Sequence, residues 1–183
     1  MDKKYKIIAL FGKSSAGKDY LQKWIVNNFN VNKMVSCTTR PPRDYEKEGV
    51  DYFFLTNEKF AEKVLDGTML EATEFRSWFY GTPLESLSSE VVNIGVFNPS
   101  GVACMLEDPR LEIHPILIHA SDKKRLMRSL NREANPDCSE ICRRFFTDVD
   151  DFKEIDFDYI TYVNEDNENL PMLRKIINDL GQE

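Results

Sequence analysis

Histidine, cysteine and long apolar runs are all scarce in this chain of 183 residues, and each shortage removes a class of function. Two histidines, His114 and His119, complete no zinc spacing with the four cysteines at 37, 104, 138 and 142. Those cysteines are too few and too scattered to form the disulfide framework of a secreted domain. Cys138 and Cys142 share a helical stripe with Ile141, Phe145 and Phe146, which predicts buried free thiols. No apolar run approaches the roughly 18 residues that span a bilayer, so no membrane association is expected. The opening MDKKYKIIAL passes straight into a strand pattern without the apolar core and cleavage site of a signal peptide. A cytoplasmic protein is therefore the expectation. Basic residues number 24 against 31 acidic ones, a net charge of −7. That balance argues against nucleic-acid tracking, which depends on a basic surface that releases counterions. Internal repeats and low-complexity tracts are missing as well.

What is present is an ordinary globular composition, 42% apolar and 30% charged, at a length that supports one well-buried core. The stretch around which the rest is organised is Gly12 to Asp19, GKSSAGKD, between the apolar run Ile7 to Phe11 and an amphipathic segment, Lys18 to Phe29. A glycine-rich turn from a buried strand into a helix aims several backbone N–H groups at one point, where the helix N-terminus adds partial positive charge. Such a nest suits phosphate. The residues fit the pattern G-x-x-x-x-G-K-[ST], with Lys13, Ser14, Ser15 and Ala16 in the variable positions and Lys18 placed for the β- and γ-phosphates of a triphosphate. Only Asp19 departs from it, a carboxylate in place of a hydroxyl.

Further along, Leu21, Trp24, Ile25 and Phe29 recur at helical spacing. Short strands are expected at Met34 to Cys37, Tyr52 to Thr56, Met69 to Phe75 and Trp78 to Gly81, with a helix from Asn57 to Asp66. Val91 to Phe97 and Ile113 to Ile118 read as core strands, and Pro115 points to an edge or strand-start position for the second. Two charged helical segments, Asp122 to Arg132 and Cys138 to Asp148, carry five arginines and suggest a mobile flap. Phe157 to Val163 is the last strand, and Leu170 to Leu180 holds a closing amphipathic helix. Strands alternating with helices, with the phosphate loop after the first strand, predict an α/β fold with a doubly wound parallel sheet.

Residues 36 to 54, SCTTRPPRDYEKEGVDYFF, followed by MLEATEF and FYGT, resemble the acceptor lobe of guanylate kinases, and the likeness is colinear over nearly the whole chain. It implies a P-loop core over about 1–35, 90–121 and 152–183, an inserted nucleoside-monophosphate lobe over about 36–89, and a helical lid over about 122–151. It also implies phosphoryl transfer from ATP, with Mg²⁺, to GMP or dGMP. On that resemblance Arg40, Arg43, Tyr52 and Tyr80 hold the acceptor phosphate, Ser36, Glu71 and Thr82 read guanine, and Arg132 and Arg143, eleven residues apart, close over the transfer. Asn164 falls where the family has an asparagine near the adenine end of ATP. Asn98 replaces an acidic position of the acceptor site, and Asp19 replaces the hydroxyl that helps position the metal.

The physical chemistry of these residues agrees with the roles the likeness implies. Two planar guanidinium forks three residues apart in a proline-stiffened loop can converge on one phosphate. An ionised carboxylate only accepts hydrogen bonds, so Glu71 suits the N1–H and 2-amino donors of guanine and not the N1 acceptor of adenine. Asp19 is a suitable ligand for a hard cation. Two alternatives remain at this point: a binding module that keeps the acceptor lobe without catalysis, and a kinase with a shifted base preference.

Overall fold

The computed structural model describes residues 4–43, 46–75, 77–132, 134–165 and 169–181. Strand β1 (Tyr5–Phe11) is followed by helix α1 (Lys18–Asn28) and strand β2 (Val31–Lys33); later come β7 (Val92–Phe97), helix α3 (Pro99–Leu106), β8 (Leu111–His119), β9 (Ile160–Val163) and helix α6 (Leu170–Gly181). These five strands make one parallel sheet in the order β2-β7-β1-β8-β9. Alternate residues of a strand face opposite sides, and both sides of β1 are covered. Ile8 and Leu10 pack with Leu21 and Ile25 of α1 and with Leu173 and Ile177 of α6. Ile7, Ala9 and Phe11 pack with Val102 and Met105 of α3. That two-sided burial is why β1 reads as a continuous apolar run, each large side chain stabilising by roughly 1.5–3 kcal/mol relative to exposure. The chain leaves β1 towards β2 on one side and later crosses from β7 to β8 on the other, so the carboxyl end of β1 opens at a switch point.

A second sheet of four strands, β3 (Cys37–Thr38), β4 (Phe53–Phe54), β5 (Met69–Phe75) and β6 (Trp78–Pro83), has the order β4-β3-β6-β5. Helix α2 (Asn57–Leu65) lies against it through the buried Phe60, its N-terminus capped by the Thr56 hydroxyl, which accepts from the Lys59 N–H at 3.3 Å. Gly81 on β6 makes that packing possible, because a Cβ there would lie 2.7 Å from the Glu71 carbonyl oxygen and 3.0 Å from the Phe60 ring. Helices α4 (Asp122–Leu130) and α5 (Cys138–Asp151) pack on each other.

Two expectations need correction. Met34 to Cys37 is not one strand: β2 ends at Lys33, and Cys37 starts β3 in the other sheet. The edge position expected at Pro115 holds locally, although β8 runs between β1 and β9. The missing N–H of Pro115 is tolerated because pairing with β9 begins only at Ile116, so β8 still has an open side at the proline. Cys138 and Cys142 are exposed thiols, and Phe146 is 74% exposed. The face α5 turns inward runs instead through Ile141, Phe145 and Asp148. A buried carboxylate set that face, and apolar periodicity carries no trace of it. Asp44 and Tyr45 of the arginine loop and Glu133 of the turn between the charged helices lie outside the described residues.

Candidate active site

Residues Gly12 to Lys18 turn sharply between β1 and α1, with positive φ at Gly12 (154°), Ser15 (59°) and Gly17 (102°). A Cβ at Gly12 would collide with the Ile118 carbonyl of the neighbouring strand, and one at Gly17 with the Asn164 amide. Glycine is thus required at both positions by close approach as well as by backbone conformation. Among the described residues no side chain caps α1, whose first residue is Lys18, so the N–H groups of its first turn suit an anion. Lys18 folds back over the loop, its Nζ donating to the carbonyls of Gly12 at 2.6 Å and Lys13 at 3.2 Å. Burial pushes its pKa down; Asp19 and Asp148 oppose that effect, while the cations Arg125 and Arg132 add to it. Asp19 itself is exposed in the first turn of α1.

The buried Asn164, next after β9, donates from Nδ2 to the Ala16 carbonyl at 2.7 Å, and its Oδ1 has no protein partner among the described residues. Arg128 also reaches Ala16, at 3.1 Å, and the carbonyls of Asn164 and Glu165 at 2.8 and 3.0 Å. The loop is therefore braced from the far end of the sheet and from α4 together.

The predicted acceptor residues gather on the second sheet and its leading loop. Glu71 on β5 pairs in register with Thr82 on β6, and Tyr80, two residues back on β6, shares that face. The Glu71 carboxylate accepts from the Thr82 hydroxyl at 2.8 Å, and Thr82 in turn meets the Ser36 hydroxyl at 3.1 Å. These three side chains form a row that ends in a buried carboxylate, 8% exposed. Burial pushes the Glu71 carboxyl up to about 7, opposed by its bonds from Thr82. Across from it is the N-terminus of α3, capped by Asn98, whose Oδ1 accepts from the Gly101 N–H at 2.8 Å. A Cβ at Gly101 would lie 2.9 Å from that oxygen and 3.4 Å from Glu71 Oε2, so the helix approaches the carboxylate as closely as a glycine allows.

Arg40 lies over the ring of Tyr52 at 5.7 Å and hydrogen-bonds Tyr80, and the two tyrosine rings meet edge-on at 6.2 Å. Arg43 is exposed at the outer side of the same loop. Both arginines converge on Glu46, which sequence reasoning missed. Arg40 Nη2 reaches its two carboxylate oxygens at 2.8 and 2.9 Å, Arg43 donates its backbone N–H at 2.8 Å, and Arg43 Nη1 is at 3.3 Å. Although burial alone would raise the Glu46 pKa, these donors outweigh it and hold the carboxyl below its usual range. The pair of arginines thus already converges on one carboxylate anion. The signal available was an acidic residue three positions after Arg43, in the run YEKEG.

Burial pushes the Tyr52 hydroxyl up to about 12, and the Asp19 carboxylate adds to that rise, so the start of α1 lies within electrostatic reach of Tyr52. Arg132, exposed just beyond α4, is close enough for its charge to be felt at Lys18. Arg143 on α5 bonds within its own helix, to Glu140 at 2.9 Å and Thr147 at 3.2 Å. The structure brings Arg132 within electrostatic reach of Lys18, and Arg143 bonds Glu140 and Thr147 on its own helix. Also missed by sequence were Arg125 and Asp148, both buried against Ser14.

A family model described as guanylate kinase matches residues 4–180. The guanylate kinase of Malacoplasma penetrans is 43% identical over 88 residues, 47% of this chain and 45% of that protein. That of Wolbachia pipientis is 29% identical over 178 residues, 94% of this chain and 89% of that protein. The chain spans about half the length of the curated relatives it matches at the higher identities. A crystal structure of guanylate kinase from Anaplasma phagocytophilum covers 100% of this chain and is itself covered over 89%, with a TM-score of 0.72 at 24% identity, which establishes the shared fold.

Proposed function

Because the chain belongs to the guanylate kinase family, we propose that it transfers the γ-phosphoryl group of ATP to GMP or dGMP, giving ADP and the corresponding diphosphate. The observation that carries this reading is the row Ser36, Thr82, Glu71, a set of hydroxyls ending in a buried carboxylate, on the same strand face as Tyr80, to which Arg40 bonds. A buried ionised carboxylate accepts from two adjacent N–H donors, which guanine offers and adenine does not. Arg40 and Arg43 exchange the Glu46 carboxylate for the acceptor phosphate, with the Tyr52 and Tyr80 hydroxyls completing its shell. Gly12 to Lys18 hold the donor phosphates by backbone N–H groups and the Lys18 ammonium. Asn164 braces that loop beside the adenine end.

Phosphoryl transfer needs the two nucleotides in line and the charge on the moving group neutralised. Arg132, already felt electrostatically at Lys18, supplies positive charge from the lid, and Arg143 joins it by turning from α5. Both also exclude water from the cleft. Among the described residues no cluster of three or more His, Cys, Asp or Glu could hold a metal. The one carboxylate of the first turn, Asp19, matches the usual Mg²⁺ arrangement, in which one or two carboxylates, substrate phosphates and water share the ion. Asp19 would hold the ion, which would supply neutralisation of the phosphate charge.

Measuring ADP release from ATP over GMP, dGMP, AMP and dTMP, with and without Mg²⁺, tests the proposal. GMP or dGMP should be preferred by at least about tenfold, and transfer should require the metal. Absence of ADP release with every monophosphate would overturn it, and GMP binding without ATP binding would favour the binding-module reading that Asp19 and Asn98 motivate.

A further inference from the structure

Arg125 is the only residue of α4 that the structure buries, 2% exposed, on a helix otherwise lined by exposed or half-buried side chains. Its guanidinium lies over the Phe145 ring at 4.3 Å, and each of its three nitrogens donates a hydrogen bond. Nε donates to the Ser14 carbonyl at 2.8 Å, Nη1 to Asp122 at 2.5 Å, and Nη2 to Asp148 of α5. Asp148, 6% exposed, accepts in turn from the Ser14 backbone N–H through both oxygens at 3.0 Å and from the Ser14 hydroxyl at 3.1 Å. One buried ion pair therefore holds the N–H, the C=O and the hydroxyl of a single residue of the phosphate loop. The neighbours are tied to the same helix α4: the Ser15 hydroxyl meets Ser129 at 2.7 Å, and Arg128 reaches the Ala16 carbonyl at 3.1 Å.

Stability does not explain such a pair. Desolvating two charges costs about as much as their attraction returns, and a well-packed apolar replacement is commonly neutral or stabilising. What apolar side chains cannot do is fix the orientation of a peptide unit. The loop needs that orientation, because Ser15 beside it is held at a positive φ that a serine rarely adopts, and because the N–H groups must point inward before an anion arrives. The net charge of the pair is zero, so a carboxylate beside an anion site does not repel the triphosphate.

We propose that Arg125 and Asp148 are positioning residues for the donor loop: the pair fixes the Ser14 peptide so that the loop is set for a nucleoside di- or triphosphate, and it couples that setting to the helices that carry the lid arginines. The inference rests on the proposed donor role of the loop, and its test uses ADP binding, which requires neither an acceptor nor turnover. The double variant Arg125→Met, Asp148→Ala leaves no buried charge unpaired, since Asp122 is exposed, and should melt within a few degrees of the wild type. Its dissociation constant for ADP, read by calorimetry, should rise at least about tenfold while that for GMP stays within about twofold; in the full reaction the KM for ATP should follow and that for GMP should not. Wild-type affinity for ADP in a folded double variant would reduce the pair to a packing role and overturn the proposal. If the double variant does not fold, Asp148→Glu keeps the ion pair but displaces the carboxylate, and it should weaken ADP severalfold at an unchanged melting temperature; unchanged binding overturns the proposal there too. A wild-type chain that binds ADP but phosphorylates nothing would defeat the kinase reading and leave this one standing.

Discussion

Along the donor loop the groups that meet an anion belong to the backbone and to Lys18, whereas across the acceptor sheet they belong to side chains from β5, β6 and the loop before β4. The first kind of site depends on where the chain can turn, and its requirements are steric: Gly12 and Gly17 have no room for a Cβ. The second depends on register and charge. Glu71 meets Thr82 because the two are paired across the strands, and the carboxylate is useful only when ionised. Geometry errors should therefore abolish the donor site, while chemical substitutions should grade the acceptor site.

The sharpest way to break the comparison is Gly17→Ala. The new methyl must displace Asn164 and adopt a φ of 102°, so kcat/KM for ATP should fall by more than about a hundredfold while GMP binding, read by calorimetry, persists. A tolerated alanine would show that the loop is not held as described. Next in size is Glu71→Gln, which puts a donor against a guanine donor edge. The KM for GMP should rise by about ten- to a hundredfold, with the KM for ATP within about twofold. An equal change in both constants would mean that the two halves are not separable.

A third prediction concerns pH. The Glu71 carboxyl titrates at about 7 in the folded chain against an ordinary 4.5, so between those values the folded state holds the extra proton. Stability then decreases as pH rises from about 4.5 to about 7, by on the order of 3 kcal/mol, and stays lower above that range. Urea midpoints measured across it should show the slope in the wild type and a flatter profile in Glu71→Gln. The KM for GMP should rise as pH falls below about 7, where the carboxyl becomes protonated. The smallest expected effect is that of Asp19→Ser, an exposed change that should shift the Mg²⁺ optimum of turnover severalfold and leave GMP binding alone; an indifferent metal profile would confine Asp19 to the helix N-terminus.

Much of this architecture could be read in advance because its signals are local. The apolar run of β1, the glycine spacing after it and the amphipathic helices each declare themselves within about a dozen residues. So did the candidate acceptor residues, through their colinear likeness to a known pattern. Glu46 escaped because its partners are set by a loop fold, and Arg125 and Asp148 escaped because a charged residue on a helix is by default read as solvated. Cys138 and Cys142 failed for the same reason from the other side: the stripe that looked apolar was not the face that α5 buries.

The sequence by itself determined the parallel core, the position of the phosphate loop and the types of side chain that could meet a nucleotide, since strand burial, backbone sterics and hydrogen-bonding chemistry are properties of the residues. Only the tertiary structure decided which strand joined which sheet, that two arginines converge on Glu46, and that an ion pair from α4 and α5 grips Ser14. Those outcomes depend on contacts between residues as many as 134 positions apart, where the energy of a charge is set by what surrounds it.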